Sequence, residues 1–130
     1  MLFIDSSYII ALMNKKARNH QQAKQIEDLI KNEYTLINST VLIEILNNLH
    51  KKRYEPLRDD IINVLYNMDE IHYLTHNDYN QTLKICKDYN FNINYSDCTI
   101  LKTMMDYNIS TVVSFDSDFD KINGINRFYL

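Results

Sequence analysis

Leu2-Phe3-Ile4-Asp5-Ser6-Ser7 opens the chain, and the reading of this stretch decides the fold. Three apolar residues stop at an acid and two hydroxyls, the pattern of a short buried strand running into a helix start. Tyr8, Ile9, Leu12 and Met13 continue at helical spacing. The same alternation recurs downstream. Strands are expected at Tyr34 to Ile37, at Ile71 to Leu74, at the β-branched run Thr111-Val112-Val113, and as a last edge strand at Phe128-Tyr129-Leu130. Between them lie amphipathic segments. Ala23, Ile26 and Ile30 mark a helix over 19–31. Leu42, Ile45, Leu46 and Leu49 form an inward stripe after the cap-like Asn38-Ser39-Thr40. Pro56 stands in the first turn of a helix carrying Leu57, Ile61, Val64, Leu65 and Met68. Two more helices are expected over 77–89 and 96–107. Short apolar strands alternating with helices predict an α/β fold with a mainly parallel sheet covered on both faces.

The 130 residues fit one domain, 1–130, large enough for a core without staples. Single Gly and Pro residues leave no room for long linkers. Cys86 and Cys98 show neither metal-type nor redox-type spacing, which suits a reducing cytoplasm. No basic start followed by an apolar stretch marks a signal peptide, and no apolar run reaches membrane-spanning length, so no membrane association is expected. The formal net charge of -3 lends no support to nucleic-acid binding by bulk charge.

Two strands end directly in acids: Leu2-Phe3-Ile4 in Asp5, and Val112-Val113-Ser114-Phe115 in Asp116, with Asp118 and Asp120 close behind. In parallel α/β sheets, sites form beyond the carboxyl ends of the strands. Asp97 opens a helix and Glu44 lies in the first turns of another. Carboxylates gathered this way repel each other and are costly to desolvate, a conflict that a hard divalent cation resolves. Each acid also has a plain reading. Asp5 serves equally well as a helix cap, and Asp97 as a first-turn acid complementing the dipole. Glu44 points away from the Leu42/Leu49 stripe, as a surface residue would, and stands four residues from Thr40, one too many for a capping box. Asp116 to Asp120 also reads as a solvated loop. Its likeness to a calcium loop fails, because Lys121 and Arg127 stand where glycine and a bidentate glutamate belong.

Four segments in order resemble the PIN-domain nucleases, especially the small VapC-type toxins: Leu2-Phe3-Ile4-Asp5-Ser6-Ser7, Ser39-Thr40-Val41-Leu42-Ile43-Glu44, Tyr95-Ser96-Asp97-Cys98, and Val113-Ser114-Phe115-Asp116-Ser117-Asp118-Phe119. Ser6 and Ser114 stand where Thr is common, and both keep the hydroxyl. The resemblance covers nearly the whole chain. It implies a three-layer sandwich around a five-stranded, mainly parallel sheet, with Asp5, Glu44, Asp97 and Asp116 gathered at one end as the catalytic and Mg²⁺- or Mn²⁺-binding set. Glu44 would bind metal through water, or position and deprotonate the attacking water. Ser6 and Ser114 would orient the carboxylates, with Asp118 assisting. The implied activity is hydrolysis of RNA phosphodiesters leaving a 5′-phosphate. The implied partners are a small cognate antitoxin and a second copy of the chain in a homodimer.

A PIN-fold RNA-processing nuclease without an antitoxin would use the same acids, and a catalytically inert PIN-like module would be expected to lose one. A receiver-like domain would want a lysine that Lys121 is poorly placed to supply, and a haloacid-dehalogenase-type phosphatase would need Asp where Ser7 stands. His72 and His76 do not share a helical face. His50-Lys51-Lys52-Arg53 reads first as cations complementing a helix end and second as phosphate contacts, while for the Lys15, Lys16, Arg18 group the sequence leaves both open. Tyr8 and Tyr95 read first as core residues and second as base-stacking groups.

Overall fold

The computed structural model describes all residues, 1–130. Five strands, β1 (Leu2–Ile4), β2 (Thr35–Asn38), β3 (Glu70–His72), β4 (Thr111–Val113) and β5 (Asn126–Phe128), form one sheet in the order β3-β2-β1-β4-β5. All four pairings are parallel. Six helices flank it in a three-layer sandwich: α1 (Ser6–Met13), α2 (His20–Ile30), α3 (Ser39–Asn48), α4 (Arg58–Tyr66), α5 (His76–Asp88) and α6 (Tyr95–Asp106).

The central strands are apolar on both faces, as a covered parallel sheet requires, and polar residues (Asn38, Asp5, Ser114) stand buried at their carboxyl ends. Phe3, Ile4, Leu36, Ile37, Val112 and Val113 are fully buried, whereas the edge strands β3 and β5 contain no fully buried residue. Phe3 faces both Leu36 and Val112 across the ladders, and Ile4 faces Val113. This register brings the carboxyl ends of β1 and β4 level, so Asp5 and Ser114 leave the sheet side by side. The chain moves from β1 to one neighbour, β2, and later returns to the other side as β4. Such a topological switch point opens a crevice above the sheet.

Several boundaries differ from the periodicity reading. The buried stripe of α3 is Val41 and Ile45, leading to Leu49, and Leu46 is 42% exposed. At about 100° per residue, this turns Glu44 from nearly opposite the buried face to its flank. Asn38 caps the helix by accepting from the Val41 N–H, and its bonds to Thr99 O and Thr103 Oγ1, with the Thr40–Thr99 hydroxyl pair, set which face of α3 meets α6. Pro56 sits inside a 3-10 segment, Lys52–Leu57, that precedes α4 rather than in the first turn of α4 itself. The last strand is Asn126–Phe128, two residues earlier than its apolar run suggests, because Asn126 and Phe128 pair in parallel with Thr111 and Val113. The stretch after Asp116 is a 3-10 turn, Ser117–Lys121, pinned by buried Phe119, rather than an open loop.

Candidate active site

Asp5 occupies the N-cap position of α1 but makes no capping bond with its side chain. Its Oδ2 instead accepts from Ser7 Oγ and Ser114 Oγ, each at 2.7 Å. Ser114 Oγ in turn accepts from the Asp116 N–H at 2.9 Å, and Ser7 Oγ accepts from the Phe115 N–H at 3.0 Å. Two hydroxyls therefore stitch the end of β1 to the end of β4. Burial holds the Asp5 carboxyl above its usual range. Bonds from Ser114, Ser7 and the Ser6 backbone offset this, and Asp116 adds repulsion.

Glu44 reaches the same crevice from α3. Ser6 Oγ donates to its Oε2 at 2.7 Å. Its acidity is also weakened, chiefly by burial, against the pull of the Ser6 bond and with repulsion from Asp5 and Asp116. α3 is held from below by Asn38, whose Nδ2 donates to Thr99 O and Thr103 Oγ1, and by a Thr40–Thr99 hydroxyl bond of 2.6 Å. These bonds fix α3 against α6, which carries Asp97.

Asp97 stands in the first turn of α6, where Asn94 Oδ1 caps its N–H at 2.8 Å. Its carboxyl is only 7% exposed as part of the residue and is pushed up to about 7, first by burial, then by Asp116, Asp5, Glu44 and Asp118. The first turn of a helix, taken alone, would have favoured the ionised form. Here desolvation and like charge win.

Asp116 caps the 3-10 turn through a 2.9 Å bond from the Asp118 N–H to its Oδ1. The turn brings Asp118 back over the site, and Asp118 Oδ1 is paired with Lys121 Nζ at 3.1 Å. One carboxylate oxygen from each of Asp97, Asp116 and Asp118 lies within 4.8 Å of the others. Such spacing suits hard oxygen ligands around one divalent cation and is strongly repulsive without one. The donor set, all carboxylate and without Cys or His, fits Mg²⁺ or Mn²⁺.

All seven acids and serines singled out from the sequence thus meet at one end of the sheet. Two contributors were not singled out: Ser7, the second hydroxyl of the Asp-Ser-Ser run, and Asn94, a helix cap that a polar residue before an apolar stripe would flag, whereas Asn38 stands in the cap-like run before α3. The histidines do not form a site: His72 Nε2 lies 2.9 Å from Asp78 Oδ2, and His76 faces Asn80. Cys86 and Cys98 are free and buried. Tyr8 is core, whereas Tyr95 is 37% exposed and stacks on Tyr79.

A parallel sheet with acids at the ends of its two adjoining central strands, faced by acids from two helices, defines an α/β domain with an acidic cleft. The chain belongs to the PIN domain family, whose model matches residues 2–125. No curated protein matches it in sequence. Among solved structures it is similar to VapC20 of Mycobacterium tuberculosis, a sarcin–ricin loop cleaving toxin, with 18% identity, a TM-score of 0.84 and 100% of both chains covered. VapBC2 of Rickettsia felis, bound to a DNA fragment from its promoter, gives 17%, 0.74 and 100% of both chains. FitAcB of Neisseria gonorrhoeae gives 15% and 0.76, with 98% of this chain and 96% of that one covered. At these identities the likeness is one of fold.

Proposed function

We propose that the chain is a Mg²⁺- or Mn²⁺-dependent endoribonuclease and the toxin of a VapBC-type toxin–antitoxin pair, acting in the cytoplasm. The observation that carries this reading is the approach of Asp97, Asp116 and Asp118 to within 4.8 Å, beside Asp5 and Glu44. VapC20 is described as a cleaving toxin, and VapBC2 and FitAcB supply the toxin–antitoxin setting. Only the class is carried over: a toxin that cleaves RNA and is restrained by a small partner protein.

Asp97, Asp116 and Asp118 would hold the cation, with Asp5 and Glu44 reaching it directly or through water. A bound divalent ion supplies charge neutralisation at the scissile phosphate and an acidified water. The residues of the chain do the remainder. Ser7 and Ser114 lock the Asp5 carboxylate in one orientation, and Ser6 does the same for Glu44. Burial and the neighbouring acids make Glu44 a stronger base than a free glutamate, suited to take the proton of the attacking water. Attack at phosphorus with departure of the 3′ oxygen leaves a 5′-phosphate. A homodimer, which the family resemblance of the sequence suggests, belongs to the same reading and is tested by sedimentation of the purified protein.

The deciding experiment incubates purified protein with RNA in Mg²⁺ and in EDTA, beside Asp116→Asn, and maps the ends produced. Cleavage with 5′-phosphate ends that needs both the metal and Asp116 is expected. Cleavage surviving the substitution, or growth arrest on expression of the substituted chain, would remove the mechanism.

A further inference from the structure

We propose that Lys15, Lys16 and Arg53 form a docking site for the phosphate backbone of the RNA strand, set off from the catalytic acids along α1 and α3. The inference rests on the ribonuclease reading for the identity of the polyanion, and on the following geometry for the site.

Cations are not spread evenly over this acidic protein. Lys15, Lys16, Arg18, Lys51, Lys52, Arg53 and Arg58 lie in two short segments with Glu55 as the one acid among them, and they make up half of the 14 Lys and Arg residues. The ion pairs of the fold engage Lys24, Lys102, Lys121 and Arg127. None engages any of the seven. Unpaired like charges held together raise the free energy of the fold, and a polyanion relieves that cost by counterion release.

The two segments are far apart in sequence and meet in space. Lys15 and Lys16 follow α1, Arg53 lies in the 3-10 segment after α3, and all three line one cavity of about 500 Å³ with Asn14 and Pro56. Lys15, Lys16 and Arg53 are exposed. The guanidinium of Arg53 lies 5.2 Å from the ring of buried Tyr54, which limits its wandering without neutralising it.

The placement suits a strand that must also enter the acidic cleft. Ser6, at the start of α1, touches Glu44, and Met13, at its end, lines the basic cavity. Seven residues of helix place the two ends on the order of 10 Å apart. The catalytic acids repel an RNA backbone, so affinity for the polymer has to come from beside them. A basic cavity at the other end of α1 supplies it.

The test measures binding of a short fluorescein-labelled single-stranded RNA in EDTA, across a salt series, by anisotropy. Three phosphate contacts contribute a slope of about 2 in log Kd against log salt. The Lys15→Ala/Lys16→Ala/Arg53→Ala chain should lose that slope and bind on the order of 100-fold more weakly at about 0.1 M salt. Lys31→Ala/Lys84→Ala/Lys87→Ala removes the same charge from exposed positions elsewhere and should change Kd only a few-fold. Lys15→Arg/Lys16→Arg/Arg53→Lys should restore the slope, and thermal melts should show every variant folded, with the Lys15→Ala/Lys16→Ala/Arg53→Ala chain melting no lower than wild type. An unchanged slope in the first variant, or an equal loss in the second, overturns the docking site. Because the assay contains no metal, a wild type that cleaves RNA yet shows no effect of the substitutions sinks only this inference. A wild type that binds through the site and never cleaves sinks only the nuclease.

Discussion

Asp97→Asn in the metal-free protein should stabilise the fold, and more so as pH rises. The Asp97 carboxyl moves from an ordinary 3.8 to about 7 in the folded chain. The folded state therefore holds its proton more tightly than the unfolded chain does. Below pH 3.8 both states are protonated and Asp97 contributes nothing. Between 3.8 and 7 the unfolded chain ionises first, and stability is lost as pH rises through that window. At about 1.36 kcal/mol per unit, the full loss is about 4 kcal/mol at pH 8, of which about 2.5 falls between pH 5 and 8. Asn is neutral throughout, so the variant gains that margin, roughly 10 °C in Tm for a domain of this size. Asp5 and Glu44 are shifted the same way, and each is repelled by Asp116. Wild type thus has a steeper decline than Asp97 alone gives. The assay is urea unfolding in EDTA at pH 5 and pH 8, repeated with millimolar Mg²⁺. The cation should raise the stability of wild type at pH 8 and do far less for the variant, because it binds the ionised cluster. A stability difference between the two chains that is independent of pH would refute the electrostatic account of the site.

Other outcomes follow from single contacts. Glu44→Gln keeps the shape and the Ser6 contact but removes the base, so RNA cleavage should fall by about 100-fold or more with the melting curve preserved. Ser114→Ala deprives buried Asp5 of a donor and the Asp116 N–H of its acceptor, and should cost about 1–3 kcal/mol by denaturant titration, together with activity. Asn38→Ala removes the cap of α3 and its two bonds to α6, so a loss of about 2–3 kcal/mol is expected, with metal affinity by calorimetry falling as Glu44 loses its support.

Much of the site was legible in the chain. The apolar runs of β1 and β4 give way to Asp5 and Ser114, a local pattern, although both polar residues stay buried and are satisfied by their bonds to each other and to Ser7 and Asp116. The cap at Asn38 was similarly local and was read, whereas the caps at Thr75 and Asn94, each a short polar side chain that satisfies the first free N–H groups, start their helices one residue earlier than the apolar spacing suggests. The face of α3 was not legible. Its apolar residues at 41, 42, 43, 45, 46 and 49 admit more than one stripe, and which of them is buried depends on α6 and on Asn38. The 3-10 turn at Pro56 and the early last strand likewise depend on pairing partners that no local pattern encodes.

The sequence by itself determined the alternation of strands and helices and the acids placed where strands give out. These follow from rules that act within a few residues: side-chain period, capping and the cost of burying a charge. Tertiary structure alone decided that Asp118 closes to within 4.8 Å of Asp97 and Asp116, that Ser7 bridges β1 to β4, and that Lys15 and Arg53 share a cavity. Those are distances between segments far apart in the chain. They are set by the parallel register of the sheet and by the packing of helices across it, to which the local rules are blind.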